Sequence, residues 1–294
     1  MATPAPDPAS ASTSTALSEL PAPASSPQRA PLGQRIYEHL NADVDADLST
    51  VPLSIFCFMT GFIDALTFSA CYVWCAFQTG NTVQLSLAIG RLFTGPYPRE
   101  IGFQIPDQQA LCSLITFLIG AFIGRIGDKL GSRKRIWLIC GTFIQAAMTL
   151  AACLTALYSG QTSFAGVRGQ PTWTSPLGFA ALGFASASMG LQAHLGTRLG
   201  SQFATTVVLT TIWVQFMGDP KLFSPRAPIK SRDHKALAIL MLFLGGLIGR
   251  ALDGTIGAAN TFAVGAAIRL LISVSWWWVP RKEPKKEQGG AKQG

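Results

Sequence analysis

Charge is what this chain has least of. Charged residues make up 13% of its 294 residues, against about 25% in ordinary soluble domains. Histidine is rarer still: His39, His194 and His234 are far apart in sequence, so no imidazole-based metal or catalytic cluster is legible. The chain contains no phosphate-binding loop, no His-Glu-x-x-His, no Gly-x-Ser-x-Gly and no dinucleotide fingerprint. Its six cysteines (Cys57, Cys71, Cys75, Cys112, Cys140 and Cys153) form no Cys-x-x-Cys pair, although Cys71 and Cys75 are one helical turn apart. All lie in or beside apolar stretches, as small core residues do. There is no Asn-x-Ser/Thr sequon. These absences argue against a soluble enzyme, a secreted disulfide scaffold and a metal centre. No catalytic residue, metal or cofactor is expected, and the chain is not expected to be an enzyme.

What the chain does have is apolar length. Hydrophobic residues reach 49% and mean hydropathy is +0.33, despite a polar N-terminal stretch. Eight apolar segments follow one another, at about 51–70, 73–92, 108–127, 136–158, 175–195, 202–218, 236–253 and 258–279. About 20 apolar residues cross a bilayer as a helix. The expected fold is therefore all-α: a polytopic transmembrane helical bundle of six to eight membrane segments. Residues 1–31, rich in Pro, Ala, Ser and Thr, are expected to be a disordered tail. They lack the basic start and apolar run of a signal peptide, so the first apolar helix is expected to serve as signal-anchor. Residues 32–50 place Leu32, Ile36, Leu40 and Val44 at helical spacing, which predicts an amphipathic juxtamembrane helix. Asp43, Asp45 and Asp47 lack the glycine and closing glutamate of a calcium loop and read as its solvated end. Residues 51–160 and 175–280 form two membrane halves, and 281–294 a basic disordered tail.

The halves look related. Gly120, Gly124, Arg125 and Asp128 recur as Gly245, Gly249, Arg250 and Asp253, all at an offset of 125. Thr82-Val83-x-Leu85 recurs as Thr206-Val207-x-Leu209 at 124. Both Gly-x-x-x-Gly pairs suit close helix packing, and each Arg/Asp pair can form a weak i, i+3 ion pair. The basic residues decide between two topologies. If all eight segments cross, Lys and Arg divide 15 to 7. If 73–92 and 202–218 enter and leave on one side, they divide 18 to 4. The second division obeys the positive-inside rule better, with the basic loops and C-terminus cytoplasmic. It also makes the halves inverted repeats carrying a polar, broken helix at matching positions, as secondary transporters do. The net charge of +8 is thus read as topology, with a lipid bilayer as partner and no nucleic acid.

Few residues carry chemistry. Asp64 and Arg269 are the acid and the base deep within apolar segments. Their expected depths differ by only about 5 Å at ~1.5 Å per residue, so they can meet as a structural ion pair. Alternatively Asp64 belongs to a proton or substrate site, or both face water. Gln78-Thr79-Gly80-Asn81-Thr82 is the most polar run inside an apolar context. Gly80 permits departure from helix; Asn81 and Thr82 can tie helices together or contact a ligand. Asp64, Thr79, Gly80, Asn81, Thr82 and Arg269 form the candidate substrate or ion site. Trp276-Trp277-Trp278 before Pro280 reads as an interfacial anchor.

Ala-Asp-Val-Asp (42–45), Gly61-Phe-Ile-Asp64-Ala65, Gln78-Thr79-Gly80-Asn81-Thr82 and Met189-Gly190-Leu191-Gln192 resemble the YoaK-like integral membrane family, in particular its fungal members, over about residues 35–280. The resemblance implies a multi-pass membrane protein of a domain of unknown function, and implies no substrate. The second half departs from the pattern, with Thr205-Thr206-Val207 where some members keep Thr-Gly. Two functions stand at this point: a small-solute transporter or permease in the plasma or vacuolar membrane, or a non-transporting assembly or sensory protein whose polar residues only lock helices.

Overall fold

The helices stop where the sequence supplies a stop. The computed structural model describes residues 31–94, 102–166, 170–201, 206–207, 209–223 and 229–283. The expected tails before 31 and after 283, with Thr205 and much of the apolar run at 202–208, lie outside them. α1 is Leu32–Asn41 and α2 Thr50–Cys71. α2 ends at Tyr72, which takes a left-handed conformation (φ 58°). α3, Gln78–Phe93, starts after six non-helical residues. α4, Ile105–Gly124, opens on a capping box between Gln104 and Asp107, with Pro106 where a proline costs no hydrogen bond. α5, Ile126–Leu130, continues it. α6, Arg135–Ser159, stops at left-handed Gly160, and α7, Pro176–Leu199, at left-handed Gly200. α8 is only Thr210–Met217. α9, Lys230–Ser275, contains a sharp break at Gly257 (φ 80°, ψ 163°), where the Ser163 hydroxyl accepts a hydrogen bond from the freed Ala258 N–H at 2.8 Å. No β-strand forms among the described residues.

The bundle is an integral membrane protein by length and composition. Four helical stretches are long and apolar enough to cross a membrane: Thr50–Cys71, Ile105–Leu130, Arg135–Ser159 and Lys230–Trp278. The last holds two limbs around Gly257. α7 has comparable length but is richer in Gly, Ala and Ser, and is mostly buried. Large apolar residues such as Leu118, Phe122, Phe143, Leu247 and Leu271 point outward, as a lipid-facing surface requires.

These six long limbs alternate between two ends. At one end Thr172 N–H bonds Ala70 O (2.8 Å), Ala165 N–H bonds Ser69 O (3.0 Å) and Gln109 Nε2 donates to Thr172 O (2.8 Å). The end of α2, the start of α4, the α6–α7 loop and the Gly257 break therefore share a level. At the other end Val44 N–H bonds Arg133 O (3.0 Å), Asp45 N–H bonds Pro280 O (2.9 Å) and Arg198 pairs with Asp128 (2.7 Å). Most of the described bases, including Arg133–Arg135, Arg198 and Lys230–Lys235, collect there. Both short helices begin and end without moving the chain to the opposite end. Segment 202–218 was the shortest expected crossing; its helix has eight residues, about 12 Å against a core of about 30 Å. α3, at 16 residues, also falls short.

Glycine draws the limbs together in a matched way. Gly61 of α2 lies against Leu242 and Gly246 of α9, and Gly245 of α9 against Phe58 of α2. Gly190 of α7 lies against Phe117 and Ala121 of α4, and Gly120 of α4 against Ala187 of α7. The α9 residues follow their α4 counterparts by 125 positions, and the α7 residues follow their α2 counterparts by 129. Gly249 faces Phe62 as expected of a packing glycine, while Gly124 faces the His194 ring.

Three expectations need correction. Neither i, i+3 pair forms: Asp128 bonds Arg198 and approaches His194 (3.5 Å), and Arg125 and Arg250 lie over the Phe122 and Phe164 rings. The Asp128 carboxylate finds its partner on another helix, and the Arg125 and Arg250 guanidinium groups lie over ring faces instead of reaching the acids three residues on. The acidic end of α1 is free only in its side chains: Asp43 and Asp47 are exposed, but the backbone of residues 42–45 is clamped between residues 133–135 and 280–282. Trp276 is not at the interface: it is fully buried and donates to Thr142 Oγ1 at 3.0 Å, leaving Trp277 and Trp278 outside.

Candidate functional site

The six residues after α2 turn back into the bundle. Left-handed Tyr72 reverses the chain, and Trp74 stacks on Phe68 with ring centres 4.0 Å apart. Ala76 N–H then donates to Asp64 Oδ1 at 2.9 Å. Asp64 lies seven residues before the end of α2, so the loop dips about 10 Å below that end. Asn81 anchors the first turn of α3. Its Nδ2 donates to Trp74 O (2.8 Å), Gln78 Oε1 (2.9 Å) and Ser113 Oγ of α4 (3.3 Å). Ser113 also meets Ser186 Oγ of α7 (2.9 Å), which donates to Cys75 Sγ (3.0 Å). α3 then climbs back toward the start of α4, where Arg91 forms an ion pair with Asp107.

A second loop enters from the opposite end. The chain leaves α7 at Gly200, beside the basic residues. By Thr206 it has reached Thr60, whose hydroxyl donates to Thr206 O at 2.8 Å. Thr60 is ten residues into α2, about 15 Å deep. Gln192 Nε2 of α7 fastens this point, donating to Phe56 O (2.9 Å) and Thr60 Oγ1 (3.0 Å). α8 then returns to the basic end, where Asp219 approaches Lys235 at 3.6 Å. The Thr206 hydroxyl is buried and has no hydrogen-bond partner among the described residues.

The two loops face each other across a cavity of about 340 Å³. Thr60 and Asp64 of α2 form its floor, Trp74 and Phe77 one wall, and Val207, Thr210 and Trp213 the other. α3 and α8 both begin beside this cavity, with Asn81 and Ile212 buried and Thr79, Thr210 and Trp213 exposed. In an apolar layer such non-helical backbone is stable only where protein or a cavity covers it.

Residues 53–275 match the model of a family described as proteins of unknown function, DUF1275. The chain belongs to the DUF1275 family. No curated protein and no solved structure matches it.

In this DUF1275 chain the predicted residues separate into four places. Asp64 lines the cavity between the two loops, whereas Gly80 and Asn81 line a separate one of about 380 Å³, with Trp74 and Phe77 common to both; Gly80 leaves room for the Phe77 ring, whose Cδ1 would lie 2.8 Å from an added Cβ. Thr79 and Thr82 face outward, Thr82 spending its hydroxyl on Gln78 O (2.9 Å). They leave the site because the helix starts at Gln78 and its periodicity turns them away. Arg269 does not meet Asp64. It is fully buried, its Nη1 donates to Gln145 Oε1 of α6, and its Nη2 points at Met189 Sδ (3.3 Å). Asp64 takes its hydrogen bond from the Ala76 backbone, so the expected ion pair is absent.

Thr60, Ser113, Gln145 and Ser186 were not singled out from the sequence, and Gln192 entered only through the family resemblance. Each is a single neutral polar residue within an apolar run, and nothing local separates a core hydroxyl from a site-lining one. Gln145 and Gln192 had the clearest signal, since an amide in the middle of a membrane helix needs partners.

Proposed function

We propose that this protein is a small-solute transporter or permease, with its pathway at the cavity between the two inward loops. The observation that carries this reading is their opposed geometry. Each half contributes a short helix that starts near mid-depth and returns to the end it came from, one from each end, and both flank Asp64 and Thr60. Broken helices at matching positions of inverted repeats are how secondary transporters build midplane sites. The paired glycine contacts at offsets of 125 and 129 support an internal repeat related by inversion. On this reading six limbs cross, and the basic end with the C-terminus is cytoplasmic, in the plasma or vacuolar membrane. The likeness to fungal YoaK-like members fits the same picture. The reading assigns the chain no enzymatic step.

A second reading has its own support. Most polar groups around Asn81 satisfy one another, as do Thr60 and Gln192, so the layer also suits a helix lock in a non-transporting assembly or sensory protein. Asp64→Asn separates the two, because asparagine keeps the Oδ1 acceptor for Ala76. Proteoliposomes of the full chain would be tested by osmotic swelling against urea, polyols, ammonium salts and small carboxylates. Transport requires a solute that enters faster than in empty vesicles, and a folded Asp64→Asn protein that has lost the flux. No flux from any solute, or equal flux from the variant, sinks this assignment.

A further inference from the structure

A second cavity, of about 500 Å³, opens at the basic end between α1 and the segment following α9. Arg35 and Arg281 line it, with His39, Trp277 and Trp278 beside them. Its frame is rigid. Arg135 is 2% exposed and its guanidinium donates to His39 O, Trp276 O (3.2 Å) and Val279 O (2.5 Å). The His39 and Trp277 rings are 4.6 Å apart, and Lys282 N–H bonds Asp43 O at 2.9 Å. Within this frame Arg35 and Arg281 are exposed and form no ion pair among the described residues. The one acid in the lining, Glu38, is held along its own helix by Gln34 Nε2 (2.9 Å). The surroundings are apolar on the outside: Leu32, Ile36 and Tyr37 of α1 and Trp278 stand exposed at 70%, 40%, 68% and 72%. An amphipathic helix with such a face lies in the headgroup layer, and tryptophans mark the same level.

We infer that this cavity seats the phosphate of an anionic membrane phospholipid. Arg35 and Arg281 contact the phosphate oxygens, and the acyl chains descend past Trp278 along the outer faces of α6 and α9. The lipid wedges α1 against the bundle, so it also fixes the clamp formed by residues 42–45. Arginine suits the role because its planar fork matches phosphate oxygens in pairs. The inference does not depend on transport, since it needs only that the bundle sits in a bilayer.

The test uses purified full-length protein in a neutral detergent. Phosphatidylserine, phosphatidylcholine or inorganic phosphate is added at equal concentration, and binding is read by native mass spectrometry and by thermal unfolding. Phosphatidylserine is expected to remain bound and to raise the unfolding temperature, while phosphatidylcholine and inorganic phosphate do neither. Each arginine near an anionic lipid contributes about fivefold in binding. Arg35→Gln with Arg281→Gln should therefore weaken phosphatidylserine retention about 25-fold without changing the lipid-free unfolding temperature. Arg198→Gln with Lys129→Gln, also at the basic end but outside this cavity, should leave retention unchanged. The inference is overturned if the first pair retains phosphatidylserine as the parent does, if the second pair loses it equally, or if inorganic phosphate gives the same stabilisation.

Discussion

Replacing Gly245 by alanine puts a methyl group into the backbone of the neighbouring helix. Its carbon would lie 2.8 Å from the Phe58 carbonyl carbon, and closer still to the oxygen, well inside van der Waals contact. Backbone cannot rotate away as a side chain can, so α9 must move off α2 along its length. Overpacking of this kind costs about 1–3 kcal/mol. Alanine returns up to about 1 kcal/mol in helix propensity, leaving a net loss of about 0–2 kcal/mol. Gly246 is the internal control. A methyl there meets only Gly61 O at 3.7 Å, an ordinary contact, so Gly246→Ala keeps the propensity gain and is neutral or slightly stabilising. For a chain of this size 1 kcal/mol moves the midpoint by about 2–4 °C. Gly245→Ala should thus unfold roughly 2–12 °C below Gly246→Ala, measured by tryptophan fluorescence in one detergent at one heating rate. Gly120→Ala, which runs into the Ala187 carbonyl, should behave like Gly245→Ala. Equal midpoints for the adjacent glycine variants would show that the close α2–α9 approach does not exist in the folded protein.

Other perturbations test the polar layer and the topology. Asp64→Leu removes the acceptor of the Ala76 N–H and should cost about 1–3 kcal/mol, seen as a lowered unfolding midpoint, whereas Asp64→Asn should hold its midpoint. Gln145→Leu leaves the Arg269 guanidinium buried without its amide partner and should lose about 1.5–3 kcal/mol. Arg269→Met removes the buried cation and should be near neutral or stabilising; a midpoint falling as far as that of Gln145→Leu would mean that the guanidinium is a net stabiliser. Single epitopes in 92–107 and 160–172 should be reachable from outside intact cells while those in 220–234 and at the C-terminus are not. One shared side for all four would require eight crossings and remove the two inward loops.

The helix count and the polar layer were legible to different degrees. Apolar runs of about 20 residues showed α2, α4, α6 and the limbs of α9, because length and hydropathy alone decide that a segment prefers lipid. The Arg and Lys distribution, 18 to 4, favoured the six-limb path before any fold was known, because it depends on counts and not on contacts. The polar site was harder to read. Gln78-Thr79-Gly80-Asn81-Thr82 stood out as a block, yet only Gly80 and Asn81 of its last four residues turn inward, lining a cavity beside the one that Asp64 lines. The start of α3 at Gln78 sets the helical phase, and that start is chosen by the Asp64–Ala76 and Asn81–Trp74 hydrogen bonds rather than by local propensity. Asp64 and Arg269 looked like partners because they were the evident buried charges at similar depth. Depth is one coordinate; the other two depend on which helices touch.

Composition and segment length by themselves determined that this chain is an all-α membrane protein with a basic end, since the transfer of apolar surface into lipid adds up residue by residue. Which polar groups meet was decided only by tertiary packing. The glycine contacts between α2 and α9 and between α4 and α7 set the spacing of the limbs. That spacing leaves room for two loops to fold inward, satisfies Asp64 with a backbone N–H, and gives Arg269 to Gln145. A hydrogen bond inside a membrane needs a donor and acceptor within about 3 Å, and no pattern along a single helix specifies a distance to another.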